Sequence, residues 1–367
     1  MKAFVFRSEG TPAPPEAREW DYNPAPSPLP LVSVIVACLG QLDYTKGLVA
    51  SLEANAGCEY ELILVDNGCP EGTAAWAKQQ GIRCVRFREN QGVPKAYNAG
   101  VKEARGEIIA LWNNDQVCHP HGLKRLAEAC YTRGIAAQGA GMWDDGGGYV
   151  GGSDEAWWSD NAGGNALVFQ RQVWEDVGEW DEAFFPSYSD DTDWCLRARL
   201  KGWDFRCLRG CVTHFGQKTS GSMDLREVVL RHQQIIRDRY LHLGLGQRIL
   251  VIRYAAAGDI LMTTPVLRAL KKQVPLARLH VYCHPGAGSV LAGNPHVDHR
   301  TDQLVDPRRY TRLIDLTNAY EAGQRRGEWE HPVRAYCERA GVEFDGKPYD
   351  LYIPERLREW AKEMFPQ

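Results

Sequence analysis

Asn113-Asn114-Asp115 follows the apolar run Glu107-Ile108-Ile109-Ala110-Leu111-Trp112. That order places a carboxylate just beyond the end of a buried strand, where ligands bind in open α/β sheets. A second acidic cluster, Asp190-Asp191-Thr192-Asp193, and a histidine, His214, lie further along. One carboxylate can hold a divalent ion, since Mg2+ and Mn2+ prefer oxygen ligands and often take only one or two from the protein. Another can take a proton from a hydroxyl, provided it reaches it directly. Three acids within four positions repel one another, which raises the affinity of one of them for a proton. Each feature also has a structural reading. Asp115 suits a cap on the next helix, the Asp190 cluster suits a helix start, and Asp66-Asn67-Gly68 suits a turn. His214 follows Cys207 and Cys211, and a zinc set there lacks a fourth ligand. Trp157 and Trp158, in a glycine-rich stretch, suit a platform or lid over a substrate. Gly286-Ala287-Gly288 lacks the third glycine of a dinucleotide-binding turn, because Leu291 stands in its place.

The elements around these residues alternate. Val32–Ala37 reads as a buried strand and residues 44–55 as a helix. Then come strand 61–65, helix 73–80, strand 84–87, helix 94–104 and strand 107–112, which together make a largely parallel sheet with crossover helices. Residues 143–165 read as glycine-rich loop. Helices follow at 171–177 and 190–201, with a closing strand at 205–213 and an amphipathic helix at 223–243. Gly244-Leu245-Gly246 marks a boundary. A second βα unit then begins with strand 248–253, turn 255–259, helix 261–273 and strand 278–283. Residues 1–30 are rich in proline and read as an extended leader. The expected division is a 1–30 extension, a domain over 31–244 and a smaller Rossmann-like α/β domain over 247–367.

The 367 residues carry a net charge of −4, which gives no global pull toward nucleic acid or membrane. Eleven cysteines, scattered and odd in number, read as reduced thiols rather than a disulfide frame. Neither a signal peptide nor an apolar run of membrane-spanning length is apparent. The expectation is a cytoplasmic protein, with peripheral association at the inner membrane face left open, as is a homo-oligomer.

Residues 31–220 resemble the family 2 glycosyltransferases, which are inverting enzymes of the GT-A fold, and especially their rhamnosyltransferase-like branch. The resemblance rests on Val32-Ser33-Val34-Ile35-Val36, Leu64-Val65-Asp66-Asn67-Gly68 and Glu89-Asn90-Gln91-Gly92 through Ala96-Tyr97-Asn98-Ala99-Gly100. It continues in Leu111-Trp112-Asn113-Asn114-Asp115, Gly163-Gly164-Asn165-Ala166, Val177 through Glu182, Asp190 through Arg197, and Val212-Thr213-His214. It implies a nucleoside-diphosphate sugar donor (dTDP- or UDP-), Mn2+ or Mg2+ held by Asp115 and His214, and Asp191 as catalytic base. Donor contacts are implied for Ala37, Leu39, Asp66, Asn98, Asn113 and Asn114, with Asp66 at the base. Trp157, Trp158 and Asp190 are placed on the acceptor side, and the acceptor is a hydroxyl of a glycan, a lipid-linked glycan or another biopolymer. Ala37-Cys38-Leu39-Gly40 departs from the family's usual Pro-Thr/Ala-Tyr/Leu-Asn, and the metal motif carries one carboxylate. Residues 247–367 resemble the amino-terminal half of heptosyltransferase-like family 9 enzymes of the GT-B type, through Arg248–Arg253, Gly258–Pro265 and Gly293–Asp298. That second resemblance places Asp259 on the acceptor side as well. The competing expectation is a non-catalytic nucleotide- or sugar-binding protein, or a scaffold that recruits a partner through its carboxyl-terminal module.

Overall fold

The computed structural model describes residues 25–152, 156–164, 166–216, 224–321 and 331–352. Most of the proline-rich leader, Asn165 of the Gly163–Ala166 motif, Met223 of the expected 223–243 helix and residues 353–367 lie outside them. The chain divides into two compact units, residues 23–242 and a unit that contains residues 243–367.

The first unit runs β1 (Val32–Cys38), α1 (Leu42–Asn55), β2 (Tyr60–Asn67), α2 (Thr73–Gln79), β3 (Arg83–Phe87), α3 (Val93–Glu103), β4 (Ile108–Asn113) and β5 (Gln116–Cys118). It continues through α4 (Gly122–Arg133), β6 (Gly134–Ala137), β7 (Ala140–Trp143), β8 (Tyr149–Gly152), β9 (Asn161–Ala162) and β10 (Leu167–Gln170). It closes with α5 (Arg171–Val177), α6 (Asp190–Leu200), β11 (Asp204–Cys207), β12 (Val212–His214) and α7 (Arg226–Tyr240). Seven strands form one sheet in the order β11-β6-β10-β4-β1-β2-β3, and β10 runs against the other six. The α/β class and the mixed, mostly parallel sheet are as expected. The largely apolar character of β1 and β4 follows from burial on both faces, with a cluster around Leu48, Leu126 and Trp112 on one side and around Tyr97, Phe169 and Trp194 on the other. Gly100 on α3 permits that packing, because a Cβ there would overlap the Ile35 side chain of β1.

Three expectations are corrected. The segment read as loop over 143–165 contains β8 and β9, which join β7 in a three-stranded antiparallel sheet in the order β8-β7-β9. Asp144 Oδ1 closes the turn between β7 and β8 by accepting from the Gly146 and Gly148 N–H groups at 3.0 and 2.7 Å. Glycine there serves a hairpin turn rather than an irregular loop. The single closing strand expected over 205–213 is two strands. β11 joins the main sheet, and β12 pairs with β5 in a separate ribbon, because Arg209-Gly210 breaks the run with Gly210 at φ 65°.

The second unit contains β13 (Arg248–Ile252), α8 (Ala257–Leu261), α9 (Thr264–Gln273), β14 (Arg278–Tyr282), β15 (His299–Thr301), β16 (Arg312–Asp315) and α10 (Pro332–Ala340). Its four strands are all parallel, in the order β15-β14-β13-β16. The third correction lies here: the turn expected over 255–259 is mostly the short helix α8. All eleven cysteines of the chain are free thiols. Among the described residues no helix is long and apolar enough to cross a membrane.

Candidate active site

A cleft of about 580 Å³ opens at the carboxyl ends of β1 and β4, the edge at which a parallel sheet leaves its loops free to bind ligands. Ala37, Leu39, Asn113, Asn114, Asp115, Asp190, Asp191 and His214 all line it.

The pairing of β5 with β12 explains how His214 reaches Asp115 across a long stretch of chain. His214 stands opposite Gln116 in the ribbon, and the Phe215 N–H donates to the Asp115 carbonyl at 3.0 Å. Side chains so paired are neighbours. The His214 Nε2 and Asp115 Oδ1 atoms are 3.0 Å apart. The ribbon is fixed in turn to α1, where Ser51 Oγ accepts from the Cys118 N–H at 2.9 Å and Asn55 Nδ2 donates to the Cys118 carbonyl at 2.9 Å. Asn113 lies beside this pair. Its Oδ1 accepts from the Tyr97 hydroxyl at 3.1 Å, and its Nδ2 stands 3.4 Å from His214 Nε2. Asn114 is nearly buried, and its Nδ2 donates to the Gly40 carbonyl at 3.1 Å and to Thr45 Oγ1 at 3.2 Å. It therefore ties the loop after β4 to the loop after β1.

Asp190 and Asp191 open α6 after two residues in the left-handed region, Tyr188 at φ 77° and Ser189 at φ 63°. Such backbone costs of order 1–3 kcal/mol per residue and persists only where the surroundings impose it. Here buried His232 of α7 contacts the Tyr188 carbonyl through Nδ1 at 2.9 Å. Asp191 accepts the Gly164 N–H at 2.6 Å on Oδ2 and the Thr192 N–H at 2.7 Å on Oδ1. A Cβ at residue 164 would stand 3.1 Å from that Oδ2, so glycine lets the backbone approach the carboxylate. Burial, and then the charge of Asp191, push the Asp190 carboxyl up to about 8. Asp191 is raised as well, chiefly by burial, against the backbone donors that favour its ionised form. Backbone donors act on Asp190 in the same direction as on Asp191. Asp193 serves the scaffold instead. Fully buried, it receives Arg197 Nε at 2.8 Å, Arg239 Nη1 at 2.7 Å and the Tyr240 hydroxyl at 2.6 Å.

Five expected site residues are placed elsewhere. Asp66 does not line the cleft. It is buried at the end of β2, where Oδ1 accepts the Cys69 N–H at 2.7 Å and Oδ2 the Ala74 N–H at 3.1 Å, the contacts of an Asp-Asn-Gly turn. Asn98 clips α3 to the Trp180 backbone through both ends of its amide, each at 2.9 Å, and is buried. Trp157 and Trp158 pack on each other with ring centroids 5.0 Å apart. Trp158 is buried, and neither lines the cleft. Asp259 belongs to the second unit, where Arg253 Nη2 and the Tyr320 hydroxyl hold its Oδ1 at 3.0 and 3.3 Å.

Other residues line the cleft that the sequence did not single out, among them Asn67, Asn90, Tyr97, Trp143, Tyr149, Tyr188 and Gln233. Asn67, Asn90 and Tyr97 fall inside the motifs that carry the family resemblance. Tyr149 was hidden in the stretch read as loop, although Asp145-Gly146 between apolar residues is a hairpin signal.

Among the described residues no three His, Cys, Asp or Glu side chains form a cage for a metal ion. Asp115 and His214 nonetheless present one carboxylate oxygen and one imidazole nitrogen to the same point. That donor set fits a divalent ion that takes its remaining ligands from phosphate oxygens.

Residues 33–171 match the family described as Glycosyl transferase family 2. Similar proteins include the uncharacterized protein y4gI of Sinorhizobium fredii, 27% identical over 210 residues, which cover 48% of this chain and 23% of that protein. The succinoglycan biosynthesis protein ExoO of Rhizobium meliloti is 29% identical over 114 residues, 30% of this chain and 33% of that protein. The chain thus spans between 23% and 33% of the length of these relatives. Among solved structures, the mannosyltransferase PcManGT from Pyrobaculum calidifontis in complex with GDP-Man and Mn2+ aligns with a TM-score of 0.47 at 18% identity, over 60% of this chain and 68% of that one. Over residues 33–171, then, the chain is similar to the glycosyltransferase family 2 domain.

Proposed function

We propose that the first unit is an inverting glycosyltransferase that moves a sugar from a dTDP- or UDP-sugar to an acceptor hydroxyl. The observation that carries this reading is the meeting of Asp115, His214, Asp190 and Asp191 in one cleft at the carboxyl edge of a parallel sheet. In this reading the nucleoside lies along the ends of β1, β2 and β3, beside Ala37, Leu39, Asn67 and Asn90, and the diphosphate reaches Asp115 and His214 past the end of β4. A divalent ion held by that pair supplies Lewis-acid neutralisation of the leaving diphosphate. Asp191 takes the proton of the acceptor hydroxyl. The new bond forms from that oxygen to the anomeric carbon on the face opposite the diphosphate, the old carbon–oxygen bond breaks with its electron pair going to the diphosphate, and the configuration inverts. The Gly164 and Thr192 N–H groups keep Asp191 ionised and aimed, and protonated Asp190 spares it a second negative neighbour.

For the second unit we propose a Rossmann-like module that binds an acceptor or recruits a partner. Four parallel strands with α8 and α9 crossing between β13 and β14 support that architecture.

The test is thermal-shift binding of UDP, dTDP, GDP and ADP with and without Mn2+. Stabilisation by UDP or dTDP that needs the ion, and is absent in His214→Ala, is expected. Equal shifts for all four nucleotides, or shifts indifferent to Mn2+ and to His214, would reject the donor and metal assignments together. Asp191→Asn is expected to bind nucleotide like the wild type and to transfer nothing.

A further inference from the structure

Two large side chains stand exposed in the wall of the cleft beside the acidic pair. Tyr149 is 52% exposed and Tyr188 37% exposed, and both line the cavity that Asp190 and Asp191 line. Aromatic side chains beside a few polar groups are the usual lining of a ligand cleft when the fold holds them in place.

Both residues are so held. Tyr149 opens β8, and its ring stands edge-on to buried Trp143, with centroids 5.8 Å apart and planes at 78°. Trp143 is itself fixed, its N–H donating to Asp160 Oδ2 at 2.8 Å and its Nε1 to Asn161 Oδ1 at 3.3 Å. The hairpin that carries Tyr149 is pinned to α7 by Arg237 Nε, which donates to the Gly147 carbonyl at 2.8 Å. Tyr188 sits in the left-handed region two residues before Asp190, with its carbonyl anchored on His232. The Tyr149 phenol lies within electrostatic reach of Asp191, whose charge adds to burial in raising it.

The cleft wall is not a continuous apolar trough. Gln233 of α7 lines it as well, and its amide has no partner among the described residues. A lipid chain would meet an amide and two acids here. A pyranose ring has the matching character, since its C–H face packs on an aromatic ring while its rim of hydroxyls takes amide and carboxylate partners.

We propose that Tyr149, Tyr188 and Gln233 form an acceptor subsite for a sugar ring, so that the acceptor is the terminal residue of a glycan rather than a lipid alcohol or a protein hydroxyl. This rests on the glycosyltransferase reading above. The rings hold the sugar against the cleft wall, and Gln233 and Asp190 orient its hydroxyls so that one faces Asp191.

Saturation-transfer NMR on the full chain with UDP or dTDP and Mn2+ tests the subsite without turnover. The probes are the methyl glycosides of rhamnose, glucose and galactose, set against hexanediol and a serine peptide. Saturation of the aromatic protons is expected to reach the ring C–H protons of at least one glycoside and neither of the other probes. Tyr149→Ala is expected to weaken that glycoside roughly 10-fold, Tyr149→Phe to retain it, and Gln233→Ala to weaken it without loss of the aromatic transfer. Where a nucleotide sugar is turned over, the ratio of transfer onto the glycoside to donor hydrolysis should fall in Tyr149→Ala and recover in Tyr149→Phe. Equal binding of diol or peptide, glycoside binding indifferent to Tyr149, or transfer and hydrolysis falling in proportion would overturn the subsite. A failure to turn over any nucleotide sugar, with glycoside binding that depends on Tyr149, would instead count against the glycosyltransferase reading alone.

Discussion

Replacing Asp190 by asparagine keeps its size and its backbone partners while removing a proton-binding group. The wild-type side chain is 6% exposed, and its carboxyl is pushed up to about 8 by burial and by Asp191. An aspartate in the unfolded chain titrates near 3.9. Between these two values the native protein holds one more proton than the unfolded chain. Native stability therefore falls as pH rises through that window, by about 1.4 kcal/mol per unit, and the loss is complete above the folded value. From about pH 6 to about pH 8 the wild type should lose roughly 2–3 kcal/mol that Asp190→Asn does not lose. Urea unfolding followed by tryptophan fluorescence at a series of pH values measures this directly. Asparagine is as neutral as the protonated carboxyl it replaces, so the acid limb of the rate profile, which Asp191 sets, should stay in place. Parallel stability curves for the two proteins, or an acid limb that moves to lower pH in the variant, would refute both the shared proton and its location on Asp190.

Asp193→Asn should destabilise the first unit by about 3–5 kcal/mol, as removal of one partner from a buried charged network does, because Arg197, Arg239 and Tyr240 all converge on it. Differential scanning calorimetry reads the shift. Gly100→Ala should cost about 1–3 kcal/mol through overpacking against Ile35, seen as a lower urea midpoint at unchanged slope. Asp115→Asn should weaken Mn2+ binding in the presence of UDP, measured by titration calorimetry. It should leave the circular dichroism spectrum as it is, since among the described residues the Asp115 carboxylate pairs with His214 at the cleft and holds no other element in place.

The elements up to β4 were legible because strand-length runs alternate there with helix-period segments, and β1 and β4, buried on both faces, show little polar alternation. Asp115 and Asp190-Asp191 were legible for a related reason: a carboxylate just past a strand end, or three at a helix start, is unusual enough locally to point at chemistry. What the sequence could not decide was which hydrogen bonds those polar side chains would make. Asp66 and Asn98 share a motif context with the cleft residues, yet their oxygens are taken by the Cys69, Ala74 and Trp180 backbone, and only the three-dimensional fold brings those donors near. In the same way the tryptophans at 157 and 158 and the tyrosines at 149 and 188 are equally aromatic in sequence. The hairpin closed by Asp144 and the left-handed turn before α6 decide which of them face the cleft. The meeting of His214 with Asp115 depends on the register of β5 against β12, and register between segments so far apart in the chain is set by packing, not by the composition of either strand.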